Sequence, residues 1–306
     1  MKDKCQREIK HIRFSVTDNC NYNCIFCDNE GFIPTTNQLS VDEIIKTCRL
    51  LAEVLKVKRI KFTGGEPLCR REIVDIIRRI NELGLYEDIS MTTNGFLLDQ
   101  KAQDLVNAGL DRVNVSLPSL KPNMYQKITA SNSLLKVLKG LKTAKNVGLY
   151  PVKINYVVLK GLNDNELEEF IGFSARHGYI LQLIELHTRS DAVGQKKEFY
   201  ERYHVDLTDT IHQLEEEAYD VKIRGKMQNR KVLFHPNGAV IEIIHPSHEF
   251  CMGCTKLRVG CDGNLFGCLY KSDLGKNIRD DLHQDHSVAH YDKIFRTVID
   301  SREPYY

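Results

Sequence analysis

The sequence predicts an α/β fold: an incomplete (β/α)6 TIM-like barrel over residues 1–225, then a smaller C-terminal domain over 226–306. Three observations carry this. Strand-like and helix-like segments alternate six times along the first two thirds of the chain. Each of those strands shows one polar face. Past about residue 225 the alternation gives way to a segment rich in Gly, His and Cys.

The units follow in order. "IRFSVTD" (12–18) precedes a helical stretch at 41–56, and "RIKFTGG" (59–65) precedes one at 70–83. "DISMTTNG" (88–95) leads to 99–108, and "RVNVSLP" (112–118) to 134–147. "VKINYVVLKG" (152–161) leads to 164–177, and "YILQLIELH" (179–187) closes the series. Strand-then-helix repeats of this kind imply parallel strands with helical crossovers.

Side chains alternate across a strand, so every second residue shares a face. One face carries Arg13, Ser15 and Thr17, then Lys61, Thr63 and Gly65, then Ser90, Thr92 and Asn94. It continues through Asn114 and Ser116, Lys153 and Asn155, and Glu185 and His187. The other faces are mainly Ile, Val, Leu, Phe and Met, suited to packing under helices. A closed eight-stranded barrel fills its interior with branched apolar side chains. A six-stranded sheet with a polar inner face instead suits an open, curved barrel around a polar ligand. The competing reading is the solvent-facing side of a two-layer sheet. Helices on both faces are disfavoured, because doubly covered parallel strands read as continuous apolar runs.

Bulk properties narrow the function. The 306 residues are 42% hydrophobic and 27% charged with net charge +2, which gives no bulk argument for nucleic acid or a membrane surface. No apolar run reaches the ~18 residues of a membrane span, and "MKDKCQREIK" lacks the apolar core of a signal peptide. A cytoplasmic location is expected. In a reducing compartment the ten cysteines are metal ligands, redox groups or buried thiols before they are disulfides.

"TDNCNYNCIFCDNEG" places Cys20, Cys24 and Cys27 in the loop after the first strand. Three thiols this close do not suit a disulfide, and a zinc site usually wants four ligands. A cubane iron–sulfur cluster held at three of its irons fits, with the fourth iron open. "GGEP" (64–67) follows the second strand at the same rim, where sites of such sheets gather. Gly64 and Gly65 permit close backbone approach, and Glu66 could accept from an ammonium group. A second group, Cys251, Cys254 and Cys268, has gaps of two and thirteen with Cys261 between. On spacing alone, zinc (with Cys261 or His248 as fourth ligand) and iron–sulfur stand even. Lys256 and Arg258 could bind an anion or form a solvated charged pair.

The Cys20–Cys24–Cys27 spacing, with Phe26 before the last cysteine and "GGEP" downstream, resembles the radical S-adenosylmethionine (radical SAM) superfamily. "FTGGEPLCRREI", "TTNGFLL", "VKINYVVLKGLND" and "FCMGCTKLRVGCDGNLFGCL" narrow the resemblance to the GTP 3′,8-cyclase (MoaA) family, from about Arg13 to Asn277. The resemblance implies a 4Fe–4S cluster on Cys20, Cys24 and Cys27 that chelates SAM. It implies SAM contacts from Phe26, Gly65, Glu66, Ser116 and His187. It implies a second 4Fe–4S cluster on Cys251, Cys254 and Cys268, in the C-terminal domain. GTP contacts would come from Arg13, Lys61, Thr92, Lys153, Lys256 and Arg258.

Further expectations follow from the resemblance. They are an electron donor as partner, and a product passed to the cyclic pyranopterin monophosphate synthase of molybdenum cofactor biosynthesis. Nucleic acid and membrane partners are not expected, and the oligomeric state is open between monomer and homodimer. The alternative is a two-cluster relative acting on another nucleotide or on a peptide. Three features depart from the family pattern. "GCDG" replaces the more usual pattern before the last cysteine, where Cys261 could compete as a ligand. Lys256-Leu-Arg258 stands where Arg-x-Arg is usual, and the chain closes on "DSREPYY" rather than Gly-Gly.

Overall fold

The computed structural model describes residues 1–28, 35, 37–188, 193–225, 227–269 and 275–303. The first half is a run of strand–helix units: β1 (His11–Ser15), α1 (Val41–Leu55), β2 (Arg59–Thr63), α2 (Ile73–Glu82), β3 (Asp88–Thr93) and α3 (Leu98–Asn107). It continues with β4 (Arg112–Ser116), α4 (Pro122–Thr129), α5 (Leu134–Asn146), β5 (Val152–Val158), α6 (Leu167–His177) and β6 (Ile180–Glu185). Two helices, α7 (Gln195–Tyr203) and α8 (Thr208–Glu217), then lead to β7 (Asp220–Arg224), β8 (Arg230–Phe234) and β9 (Val240–Ile244). The last elements are α9 (His248–Met252), β10 (Lys256–Val259), β11 (Asn264–Phe266), β12 (Lys276–Asn277), α10 (Arg279–Leu282) and α11 (Val288–Asp300).

Local chemistry sets these boundaries. Ser40 caps α1 and Glu43 returns a bond to the Ser40 N–H, a reciprocal capping box. Ile73, Ile76, Ile77 and Ile80 place one apolar stripe on α2 toward the sheet. The predicted fourth unit contains an extra helix, α4, started by Pro122 in its first turn.

β1 to β6 pair in chain order, all parallel, as the alternation predicts. The C-terminal strands do not form a sheet of their own. β9 pairs parallel to β6, and β10 pairs parallel to β1, giving one twelve-stranded sheet with order 12-11-10-1-2-3-4-5-6-9-8-7. Residue 225 itself lies in the turn between the paired strands β7 and β8. Ile12, Phe14, Ile60, Phe62, Met91, Val113, Ile154, Leu181 and Ile241 point under the helices and are almost wholly buried. The opposite face is polar and lines a cavity, so the sheet is an open, curved barrel with its polar face inside. No helix among the described residues is long and apolar enough to cross a membrane.

Candidate active site

Strand phase alone brings the predicted cations together. Arg13 on β1, Lys61 on β2, Thr92 on β3 and Lys153 on β5 all line one cavity of about 320 Å³. Lys256 and Arg258 join them, because the β1–β10 pairing sets Lys256 beside His11 and Arg258 beside Arg13. Arg7, Arg59, Arg112, Arg230 and Arg302, which the sequence pattern does not single out, line it as well. These cations oppose one another. Burial, then Arg112, Arg13, Lys153 and Arg230, hold the Lys61 ammonium well below its usual pKa. Burial and then Arg230 do the same to Lys256, whose Nζ donates to Gln228 Oε1 at 2.6 Å. A crowd of cations that depress each other's charge is suited to a polyanion that would offset them.

A buried carboxylate pairs with three of the surrounding cations. Glu242 on β9 is fully buried and accepts from Lys153, from Gln182 Nε2 at 2.6 Å, and from Arg224 and Arg230 at 3.3 and 3.4 Å. Neither Glu242 nor Gln182 is legible as a site residue from the sequence. On β6 the alternation predicts Glu185 and His187 as the inner pair. The register instead pairs Gln182 with Asn155, and Gln182 and Ile184 line the cavity. Glu185 is the last residue of β6, and its carboxylate accepts from the Leu207 N–H at 3.1 Å and bonds His204 at 2.9 Å, although it too borders the cavity. Counting the alternation from His187 misleads, because that residue lies beyond the strand's end.

The two cysteine groups lie at opposite ends of this face. Cys20, Cys24 and Cys27 follow β1, at the carboxyl rim of the parallel strands. Cys254 precedes β10, which runs parallel to β1, and Cys268 follows β11, which runs antiparallel to β10. The second group is therefore at the amino end, and Cys251, Cys254 and Cys268 all border the cavity. The rows of β1, His11–Ser15, lie between the two ends. Cys261 stands apart. It is buried, its carbonyl accepts from the Leu39 N–H, and burial pushes its thiol up to about 12.

The first cysteine loop is tied down from several sides. Arg70 donates to the Val16 and Leu39 carbonyls at 2.7 and 2.8 Å, bracketing the loop's two ends. Asn94 donates to Asn21 at 2.8 Å, and the Ile25 N–H bonds the Ile128 carbonyl at 2.9 Å. Phe26 packs on Ile128, Leu159, Leu162 and Leu186. Ser116 ends β4 in register with Asn155. His187 lies in the cavity wall, held neutral at ordinary pH by burial, which lowers its pKa to about 4.

Gly65 has a packing duty beside any ligand contact. A Cβ there would sit 2.4 and 2.5 Å from the Asn19 and Asp18 carbonyl oxygens, which are backbone and cannot swing away. Gly65→Ala should therefore displace the cysteine loop at a cost of roughly 1–3 kcal/mol, read as a lower unfolding midpoint together with reduced iron uptake. Glu66 is also committed. It is buried, and its carboxylate accepts from Leu68 N–H at 3.0 Å, Thr93 Oγ1 at 2.7 Å and Asn94 N–H at 2.6 Å. Burial raises its pKa to about 7 in spite of these bonds. Its evident role is to join the loops after β2 and β3.

Both donor sets fit a sulfur-ligated cluster. Burial, reinforced by Cys27 and Cys20, raises the Cys24 thiol to about 12, so the three thiols lie within one another's field. Ionised together they need a cationic centre, which a cluster supplies. At the other end burial opposes ionisation of Cys254, yet Arg302, Lys256 and Arg258 outweigh it and lower its pKa.

Comparison with known proteins agrees with this geometry. Residues 14–174 match the model of the radical SAM superfamily, and residues 179–306 match that of molybdenum cofactor synthesis C. The chain is 40% identical over all of its length to a protein of Methanothermobacter thermautotrophicus named "Probable GTP 3′,8-cyclase", covering 99% of that protein. It is 39% identical to a protein of the same name from Methanothermobacter marburgensis, over 99% of this chain and 98% of that protein. The fold resembles the crystal structure of Streptococcus suis SuiB bound to S-adenosylmethionine, with TM-score 0.61 and 16% identity, over 94% of this chain and 66% of that one.

Proposed function

The chain belongs to the GTP 3′,8-cyclase family of the radical SAM superfamily, and from this membership we propose that it converts GTP to (8S)-3′,8-cyclo-7,8-dihydroguanosine 5′-triphosphate. That reaction opens molybdenum cofactor biosynthesis. The observation that carries the proposal is the cation-lined cavity lying between two cysteine groups at opposite ends of one barrel face. A triphosphate brings about four negative charges, which Arg13, Lys61, Lys153, Lys256 and Arg258 offset by charge-assisted hydrogen bonds. The same crowding of cations favours a phosphorylated substrate over a peptide.

Cys20, Cys24 and Cys27 would hold one 4Fe–4S cluster, and Cys251, Cys254 and Cys268 the other. With SAM bound, the first cluster would supply the one-electron chemistry needed to take a hydrogen from the ribose. The protein's part is placement. Gly65, Ser116 and His187 border the SAM end, and Phe26 and Glu66 brace it. Thr92 and the cations would hold the nucleotide below. An electron donor is required, and the cyclic product would pass to the cyclic pyranopterin monophosphate synthase.

Anaerobic incubation of the reconstituted protein with SAM, GTP and reductant, followed by mass analysis, tests the reading. 5′-Deoxyadenosine formed with no cyclised GTP product would overturn the substrate. A finer test is binding. Arg258→Ala should weaken GTP by ten- to a hundredfold, because one charge-assisted phosphate contact in an enclosed site is worth roughly 1.5–3 kcal/mol. SAM affinity should hardly change. Lys256→Arg should leave GTP affinity equal or tighter, since it restores a planar two-donor fork. Anaerobic titration calorimetry reads all three.

A further inference from the structure

At the amino end of the barrel a buried ion network touches every segment of the second cysteine group. Asp3 Oδ2 pairs with Arg7 Nε at 2.7 Å and with Arg302 Nη1 at 3.1 Å, and all three side chains are at most 5% exposed. Asp3 Oδ1 accepts from the N–H groups of Cys5 and Arg7 at 2.9 Å each, which closes the N-terminal turn around the carboxylate. Arg7 Nη1 then donates to the Cys251 carbonyl at 3.0 Å, and Arg302 Nη2 donates to the Cys254 carbonyl at 2.6 Å. Arg7 Nη2 reaches the Glu303 carbonyl at 2.8 Å, locking the residue after Arg302 into the same knot. The third segment is held by packing. A Cβ on Gly267, next to Cys268, would lie 2.2 Å from Arg302 Cγ, so glycine is what lets the arginine stem lie along that strand end.

We propose that Asp3, Arg7 and Arg302 position the Cys251–Cys254–Cys268 set and tune the charge felt by the group it holds. The proposal rests on the reading that these cysteines ligate a cluster. The network joins the two ends of the chain, residues 3–7 and 302, to ligand segments that neither end adjoins in sequence. It carries net charge +1 (two guanidinium groups against one carboxylate) with little water to screen it, beside a donor set whose thiolates are negative. Removing a cation there makes adding an electron harder. Removing the carboxylate leaves two cations uncompensated and makes it easier.

The test uses the full chain with Cys20, Cys24 and Cys27 replaced by alanine, so that any iron bound belongs to the second set. In that background Arg302→Gln should lower the cluster's reduction midpoint in an anaerobic redox titration followed by electron paramagnetic resonance. Asp3→Asn should raise it. Both should weaken iron retention by roughly 10–100-fold in affinity, as loss of groups that orient metal ligands does. Arg302→Lys should bring midpoint and retention back toward the parent. Midpoints that stay put or move in the same direction overturn the proposal, as does full iron retention in both variants. If the variants lose iron outright, failure of Arg302→Lys to recover it overturns the proposal as well. A background protein that takes up no iron would instead remove the second-cluster reading, and so the two failures are told apart.

Discussion

Replacing Cys20, Cys24 and Cys27 together with alanine is expected to abolish reductive cleavage of SAM and to lower bound iron from about eight to about four per chain. The effect should be all-or-none because residues 16–39 contain no other cysteine. The three thiols sit in one loop after β1, and Cys69, the nearest further thiol felt by Cys20, lies on the loop after β2, where its N–H is tied to the Glu66 carbonyl at 2.9 Å. The fold itself should survive. Cys20 and Cys27 are exposed, Cys24 is only partly buried, and the loop's anchors through Arg70, Asn21, Ile25 and Phe26 do not use the sulfurs. The variant should therefore unfold near the parent apoprotein's midpoint and still bind GTP. SAM cleavage retained in the variant would remove the first cluster from these residues. Loss of GTP binding along with SAM cleavage would show that the two ends of the cavity are not independent.

How far the sequence reaches is clearest along β1 to β6. Their period of two is enforced by backbone geometry, so counting from any interior residue puts Arg13, Lys61 and Lys153 on the inner face from the order of the residues alone. The same count fails on β6 only when it begins at His187, outside the strand. The β4–α5 connection, residues 117–133, hides α4, whose "PNMYQKIT" is too short and too weakly apolar to announce itself. Past residue 225 the local pattern carries little. β8, β9 and β10 are four- or five-residue strands whose partners are set by distant pairing, such as His11 with Lys256. Nothing local says that Arg230 and Glu242 face Lys153, or that Asp3 meets Arg302. Such pairings are tertiary facts, because each residue's neighbours in the chain would leave it equally at home on the surface. The cysteine spacing, by contrast, survives because ligand geometry is written over a few residues.

Glu242→Gln, behind the cavity's cations, should be strongly destabilising. The carboxylate is fully buried and meets Lys153, Arg224 and Arg230, and removing one partner of a buried ionic group costs roughly 3–5 kcal/mol because the others are left uncompensated. Gln keeps the shape and the bond to Gln182, so the loss reports charge rather than a void. Burial would raise this carboxyl's pKa, but Lys153, Arg230 and Arg224 hold it well below the usual carboxylate value of 4.5. A group depressed on folding contributes its stability in full above its unfolded pKa and loses it as pH falls toward the folded one. The gap between parent and variant in urea unfolding should thus be widest at neutral pH and begin to close below about 4.5. A gap that stays constant into acid would mean that Glu242 acts by packing and not by its charge. Ligand affinity should move the other way from stability. With the carboxylate gone, Lys153 and Arg230 are released toward the cavity, and the folded variant should bind GTP at least as tightly as the parent. Stability falling while nucleotide affinity holds or rises is the combination expected of a counter-ion that keeps a cationic site folded until a polyanion arrives. Loss of both together would place Glu242 among the residues the nucleotide itself needs.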